Sequence, residues 1–213
     1  MSTSSDSLPR VFVVGDSISM HYGPYLERFG AGVFRYARKS GEEGFLDLDR
    51  PSGANGGDSS MVVDYLERAT AGSGLPADYS LVNCGLHDIK TDPESGRRQV
   101  EPDEYEANLE RIATLFAAGG APVLVWIRTT PVVDEVHNAR VGDFRRHESD
   151  VERYNAIADR VMGDRGVPTI DLHGFTTNLG DPTSRYVDHV HFTDRVRELQ
   201  AAYIAGFLAR RGR

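Results

Sequence analysis

The chain has 213 residues, 39% hydrophobic and 26% charged, with a formal net charge of −8 at pH 7. That length most simply makes one domain with a substantial core, and that balance describes a soluble globular protein, not a disordered one. The acidic excess argues against a nucleic-acid surface, a single cysteine (Cys84) rules out an intrachain disulfide, and apolar runs such as "VLVWI" are too short to span a bilayer.

The first nine residues are polar and read as a flexible N-terminal segment without the apolar core of a signal peptide, so the expected location is cytoplasmic. Residues 10–213 read as a single domain. "RVFVVG" (10–15) predicts a strand buried on both faces, and "GVFRYAR" (32–38) a more exposed one. "DSSMVVDYLERAT" (58–70) predicts a helix capped by Asp58 or Ser59, with Met61, Val62, Tyr65, Leu66 and Ala69 on one face. "YSLVNCG" (79–85) is a third strand, and residues 103–120 form a long helix closed by a glycine pair. "APVLVWI" (121–127) is the fourth strand, residues 150–166 the next helix, "VPTIDL" (167–172) the fifth strand and residues 194–211 the last helix. Strand–helix alternation at this spacing implies right-handed crossovers and a five-stranded parallel sheet with helices on both faces, a three-layer flavodoxin-like α/β fold.

In such a sheet ligands sit outside the carboxyl ends of the strands. The polar residues found there are Gly15-Asp16-Ser17, Asn83 through Asp88, Thr129-Thr130-Pro131 and the loop before the last helix, "DHVHFTD" (188–194). Taken alone, "VVGDSIS" reads more readily as a turn than as a nucleophile site, because Gly, Asp and Ser all suit turns. A serine needs a base to take its proton, and Asp188 and His191, three residues apart, can supply an imidazole oriented by a carboxylate. The glycine-rich "NGGDSS" (55–60) offers amides near a helix N-terminus.

With these pieces in order along the chain, it resembles the SGNH subgroup of the GDSL esterase/lipase family. "GDSIS", "NGGDSS", "GLHD" (85–88) and "DHVH" occupy the four signature blocks, and "TTPV" and "RYNAIADRVM" are similar to the connecting segments. The resemblance implies a serine esterase with Ser17 as nucleophile, His191 as base, Asp188 as orienting acid, and the Ser17 and Gly57 amides in an oxyanion hole. It implies no cofactor or metal, and a small-molecule or carbohydrate ester as substrate. The third block usually reads Gly-x-Asn-Asp; here His87 stands where the Asn amide would donate. A neutral imidazole keeps one N–H donor, so His87 is expected to fill that position and to complicate the pH profile. The absence of an apolar lid points to short-chain esters, O-acetyl groups on a carbohydrate or small metabolite among them. The alternatives are an O-acyltransferase with the same triad and a metal-dependent hydrolase using Asp188, His189 and His191.

Asp16 and Asp88 read as loop-bracing acceptors, His189 as exposed packing, Trp126 as a sheet residue and Cys84 as a small buried hydrophobe. His21 and Tyr22 either border the pocket or start the first helix. Residues 134–150 lack periodicity and read as a solvated loop, in which His21's possible companions at the substrate, Arg145 and Arg146, could face an anionic or sugar group.

Overall fold

The computed structural model describes residues 8–41, 48–72, 74–118 and 120–211. Residues 1–7 of the expected N-terminal segment lie outside them.

Strand β1 (Arg10–Val14) leads into helix α1 (Ser17–Gly30), followed by β2 (Arg35–Arg38), α2 (Ser59–Ala71), β3 (Tyr79–Val82) and α3 (Pro102–Phe116). Then come β4 (Val123–Ile127), α4 (Asp134–Asn138), α5 (Glu148–Asp164), β5 (Thr169–Ile170), α6 (Leu172–Thr177), a 3₁₀ turn at Thr183–Arg185, and α7 (Asp194–Arg211). All five strands are parallel, in the order β2-β1-β3-β4-β5. The β-branched runs of β1 and β4 fit a strand covered on both sides: Val11, Val13, Val14, Val125 and Trp126 are each 1% exposed or less.

From β1 the chain steps one way to β2, and from β2 it steps back past β1 to β3, β4 and β5. Right-handed crossovers therefore put α1 on one face and α2, α3 and α5 on the other. The packing agrees: α1 lies against α7, and α7 against α6, while α2 packs on α3 and α3 on α5. The order reverses between β1 and β3, and the carboxyl ends of those strands flank the crevice in which a doubly wound sheet binds its ligand. Among the described residues no helix is long and apolar enough to cross a membrane.

Several elements differ from their predicted limits. β3 stops at Val82 because Gly85 turns the chain out of the sheet at φ 147°. β5 is cut to Thr169–Ile170 because Asp171 caps α6, accepting from Gly174 N–H at 2.9 Å. Helix α3 starts one residue early, with Pro102 in its first turn, and ends at Phe116, before the glycine pair. Residues 134–150 contain α4 and the start of α5, leaving a shorter connection. That connection is pinned to the chain after β3 by an antiparallel bridge, Thr91 with Arg145.

Candidate active site

The turn after β1 is built by Asp16. It caps α1, its Oδ1 accepting from Ile18 N–H at 3.0 Å while its own carbonyl accepts from the Ser19 hydroxyl at 2.6 Å. Burial raises the Asp16 pKa, against the pull of the Ile18 amide and the charges of Arg146 and His191. Ser17 is thereby the first residue of α1, at the positive end of the helix.

The loop before α7 reaches back to it. Val187 N–H donates to His191 O at 2.9 Å, and Tyr186 and Phe192 form an isolated antiparallel bridge. Within that loop Asp188 Oδ1 accepts from Val190 N–H at 2.8 Å and His191 N–H at 2.7 Å. Its other oxygen, Oδ2, lies 2.7 Å from His191 Nδ1, and His191 Nε2 lies 2.9 Å from Ser17 Oγ. The ionised carboxylate only accepts, so the proton sits on Nδ1 and Nε2 accepts from the serine hydroxyl. Burial pushes the Asp188 carboxyl up, but the hydrogen bonds from the His191 ring and from two backbone amides outweigh it and hold the group well below the usual carboxylate range. The hydroxyl, imidazole and carboxylate thus form one continuous chain.

The second block arrives by a close backbone approach. Gly56 N–H donates to Gly15 O at 2.9 Å, and a Cβ on Gly56 would stand 3.0 Å from that oxygen. Gly57 has φ 73°, and a Cβ there would meet Met61 Sδ at 2.5 Å. Its amide points at the Asn55 side chain, donating to Oδ1 at 3.0 Å. An oxyanion using this donor must take it from a neutral carboxamide.

The third block is a turn closed by Ile89 N–H to Gly85 O at 3.0 Å. His87 is 1% exposed, and burial, then the charges of Lys90 and Arg146, drive its pKa well below the usual histidine range, so the ring is neutral. Its Nδ1 is enclosed with no hydrogen-bond partner among the described residues. An orphan acceptor costs less than an orphan N–H, which puts the ring proton on Nε2. Asp88 ties this block to the second: Oδ1 accepts from Ser59 N–H at 2.9 Å, at the start of α2. Burial pushes its pKa up to about 7, with Ser59 opposing and the Asp58 charge reinforcing, so Asp88 titrates near neutrality as well as bracing the loop.

His21 sits edge-on to His191, ring centroids 4.9 Å apart, and burial lowers its pKa to about 4. His189 is not exposed packing: its side chain is 14% exposed and its Nε2 lies 3.1 Å from Asp49 Oδ2. The cluster of Asp188, His189 and His191 is poorly placed for a metal, because both His191 ring nitrogens already face Asp188 and Ser17. Among the described residues no three His, Cys, Asp or Glu side chains gather as a metal site.

The two arginines expected in a solvated loop are placed otherwise. Arg145 turns its guanidinium onto its own loop, donating to Val141 O at 2.6 Å. Arg146 is 1% exposed, so it has no face toward a substrate; it donates to Leu86 O at 2.6 Å and approaches His137 Nε2 at 3.0 Å. Asp49 and His137 carry no motif and escape sequence reading. The only signal was the polar, aperiodic composition of 134–150. An open cleft of ≈ 890 Å³ borders the Gly57 wall, lined by Asp49, Arg50, Pro51, Met61, Lys90 and Phe144 among others.

A model of the GDSL-like lipase/acylhydrolase family matches residues 13–199, most of the chain and all four blocks. The chain belongs to that family. As a GDSL-like acylhydrolase it is a carboxylic ester hydrolase. Solved structures agree on the fold. The chain is similar to a lipase/acylhydrolase from Enterococcus faecalis, with 16% identity, 96% of this chain and 97% of that one covered, and TM-score 0.68. It is also similar to an acetyl xylan esterase (13% identity, 93% and 98% covered, TM-score 0.68). A third similar structure is a carbohydrate acetylesterase from Sinorhizobium meliloti (18% identity, 95% and 99% covered, TM-score 0.63). No curated protein sequence matches the chain.

Proposed function

We propose that this acylhydrolase cleaves short-chain carboxylic esters, O-acetyl groups on a carbohydrate or small metabolite among them, through an acyl-enzyme on Ser17. The observation that carries the reading is the relay of 2.9 Å from Ser17 Oγ to His191 Nε2 and 2.7 Å from His191 Nδ1 to Asp188 Oδ2, spanning 174 residues of sequence.

His191 Nε2 takes the hydroxyl proton as Ser17 Oγ attacks the ester carbonyl carbon, and Asp188 stabilises the imidazolium that forms. The carbonyl oxygen becomes an oxyanion, met by the Ser17 amide at the head of α1, the Gly57 amide and His87 Nε2–H. His191 passes the proton to the departing alkoxide, leaving Ser17 acylated. Water then gives a proton to His191, attacks the acyl carbon and releases the carboxylic acid, and the proton returns to Ser17. The residues call on no cofactor.

The cleft beside Pro51 and Met61, which flank Gly57, carries charges of both signs at Asp49, Arg50 and Lys90 as well as the apolar Val141 and Phe144, and the charged groups suit a polar substrate. The names of the similar acetyl xylan esterase and carbohydrate acetylesterase point the same way.

A p-nitrophenyl ester panel from acetyl to palmitoyl, run on wild type and Ser17→Ala with and without a chelator, tests the reading. The acetyl and butyryl esters should turn over fastest, chelation should change nothing, and Ser17→Ala should lose about 10⁴-fold or more. A Ser17→Ala variant as fast as wild type removes the nucleophile, and a preference for palmitate removes the chain-length argument.

A further inference from the structure

A guanidinium that is 1% exposed needs a reason to be buried, because a desolvated cation is costly unless its donors are met. Arg146 meets its own on three sides. Nε donates to Leu86 O at 2.6 Å, Nη1 to His137 Nε2 at 3.0 Å, and Nη2 stands 3.6 Å from Asp49 Oδ1. The Phe144 ring covers it, 4.9 Å from the guanidinium carbon to the centroid. Its backbone is fixed as well: the Asn138 carboxamide accepts from Arg146 N–H and donates to Arg146 O, both at 3.1 Å. The next residue back, Arg145, exchanges both backbone bonds with Thr91, at 2.8 and 2.9 Å.

Three of these contacts lead toward the candidate site. Leu86 is the residue between Gly85 and His87, so its carbonyl fixes the peptide plane that carries the His87 ring. His137 accepts from the guanidinium on Nε2, which leaves its proton on Nδ1 facing Asn138 Oδ1 at 3.2 Å. The His137 ring is edge-on to that of His189 at 5.0 Å, and His189 in turn lies 5.9 Å from the His191 ring. Asp49 pairs with Arg146 on one side and His189 on the other. One buried cation therefore touches both the third-block turn and the packing behind the loop that holds His191.

We infer that Arg146 is a positioning residue for the ester chemistry, its fixed guanidinium holding Leu86 O, and so the His87 ring, in the orientation that serves the oxyanion. The inference rests on the serine-ester reading above. An ammonium cannot replace this group, because only the planar fork reaches Leu86 O and His137 together.

The test takes Arg146→Ala and Arg146→Lys, with wild type and Ser17→Ala beside them, on p-nitrophenyl acetate. Arg146→Ala should lose about 10- to 100-fold in kcat, less than the 10²–10³ of a missing oxyanion donor, with KM changed by about twofold at most. Guanidinium ion at tens of millimolar should restore at least about fivefold where equal sodium chloride restores none. Arg146→Lys, the variant for the case that the alanine form does not fold, should lose about 5- to 20-fold. Histidine ring-nitrogen NMR reads the placement without activity: the His87 signals should move in either variant while the amide spectrum of the sheet stays. A folded variant with wild-type kcat, a kcat loss that guanidinium leaves untouched in the alanine form, or unmoved His87 signals each overturns the inference. An inactive wild type, or an active Ser17→Ala, strikes the serine-ester reading instead, and the His87 signals still decide the role of Arg146.

Discussion

A neutral imidazole at position 87 has one proton to give, and the enclosure of Nδ1 leaves that proton on Nε2. Under the proposed mechanism His87→Ala should therefore lower kcat on p-nitrophenyl acetate by about 10²-fold, with KM nearly unchanged; an unchanged kcat sinks the donor role. His87→Asn should keep most of the activity, since a carboxamide also donates. Because burial holds the ring neutral well below its usual range, neither variant should alter the shape of the kcat/KM profile near neutral pH, whereas the sequence alone leads to a more complex profile. The site residues differ in how far they can be read from sequence for the same physical reason. Asp188 and His191 sit three residues apart and Ser17 follows a strand, so local spacing suffices. The burial of Arg146 depends on Leu86, His137 and Asp49, up to 97 residues away, and a charge run gives no sign of such partners.

The elements deliver these side chains through turns that admit no Cβ. At Gly85 the chain leaves β3 with φ 147°, and an added Cβ would lie 2.2 Å from Thr129 Oγ1. Gly85→Ala should cost about 3 kcal/mol in urea unfolding, from backbone strain plus the collision. Adding Thr129→Ala relieves only the collision, so the double variant should fall short of the summed costs by about 1 kcal/mol or more; strict additivity would remove the clash from the account. Thr129 is itself clamped by Asn155, whose Oδ1 accepts from Thr129 N–H and whose Nδ2 donates to Thr129 O, both at 2.9 Å. The same contrast governs the fold. The apolar runs of β1 and β4 and the periodicity of α2 are local, and their elements are seen in the structure. The ends of β3 and β5 are set by how Gly85 turns and what Asp171 caps, which apolar patterning does not register.

Across the molecule the buried titratable groups oppose one another. Burial lowers His137 to about 3, His21 to about 4 and His87 well below the histidine range, so the folded chain refuses protons that the unfolded chain accepts below about pH 6.5. The unfolded state then binds more protons, and stability falls as the pH falls. Asp88, raised to about 7, acts with the opposite sign: between roughly pH 4 and 7 the folded state holds a proton that the unfolded state has lost. Asp16, also raised by burial, acts with Asp88, so the buried histidines and the buried carboxyls offset one another. The balance is read in Tm between pH 7 and pH 4.5, where each variant exposes the contribution of the group it removes. Asp88→Asn removes an opposing group and should lower Tm at pH 4.5 relative to pH 7, while His137→Gln should raise it. A His137→Gln variant whose Tm difference between pH 7 and pH 4.5 equals that of wild type means that His137 gains its proton without unfolding, and hence that its burial is looser than the packing around Arg146 requires.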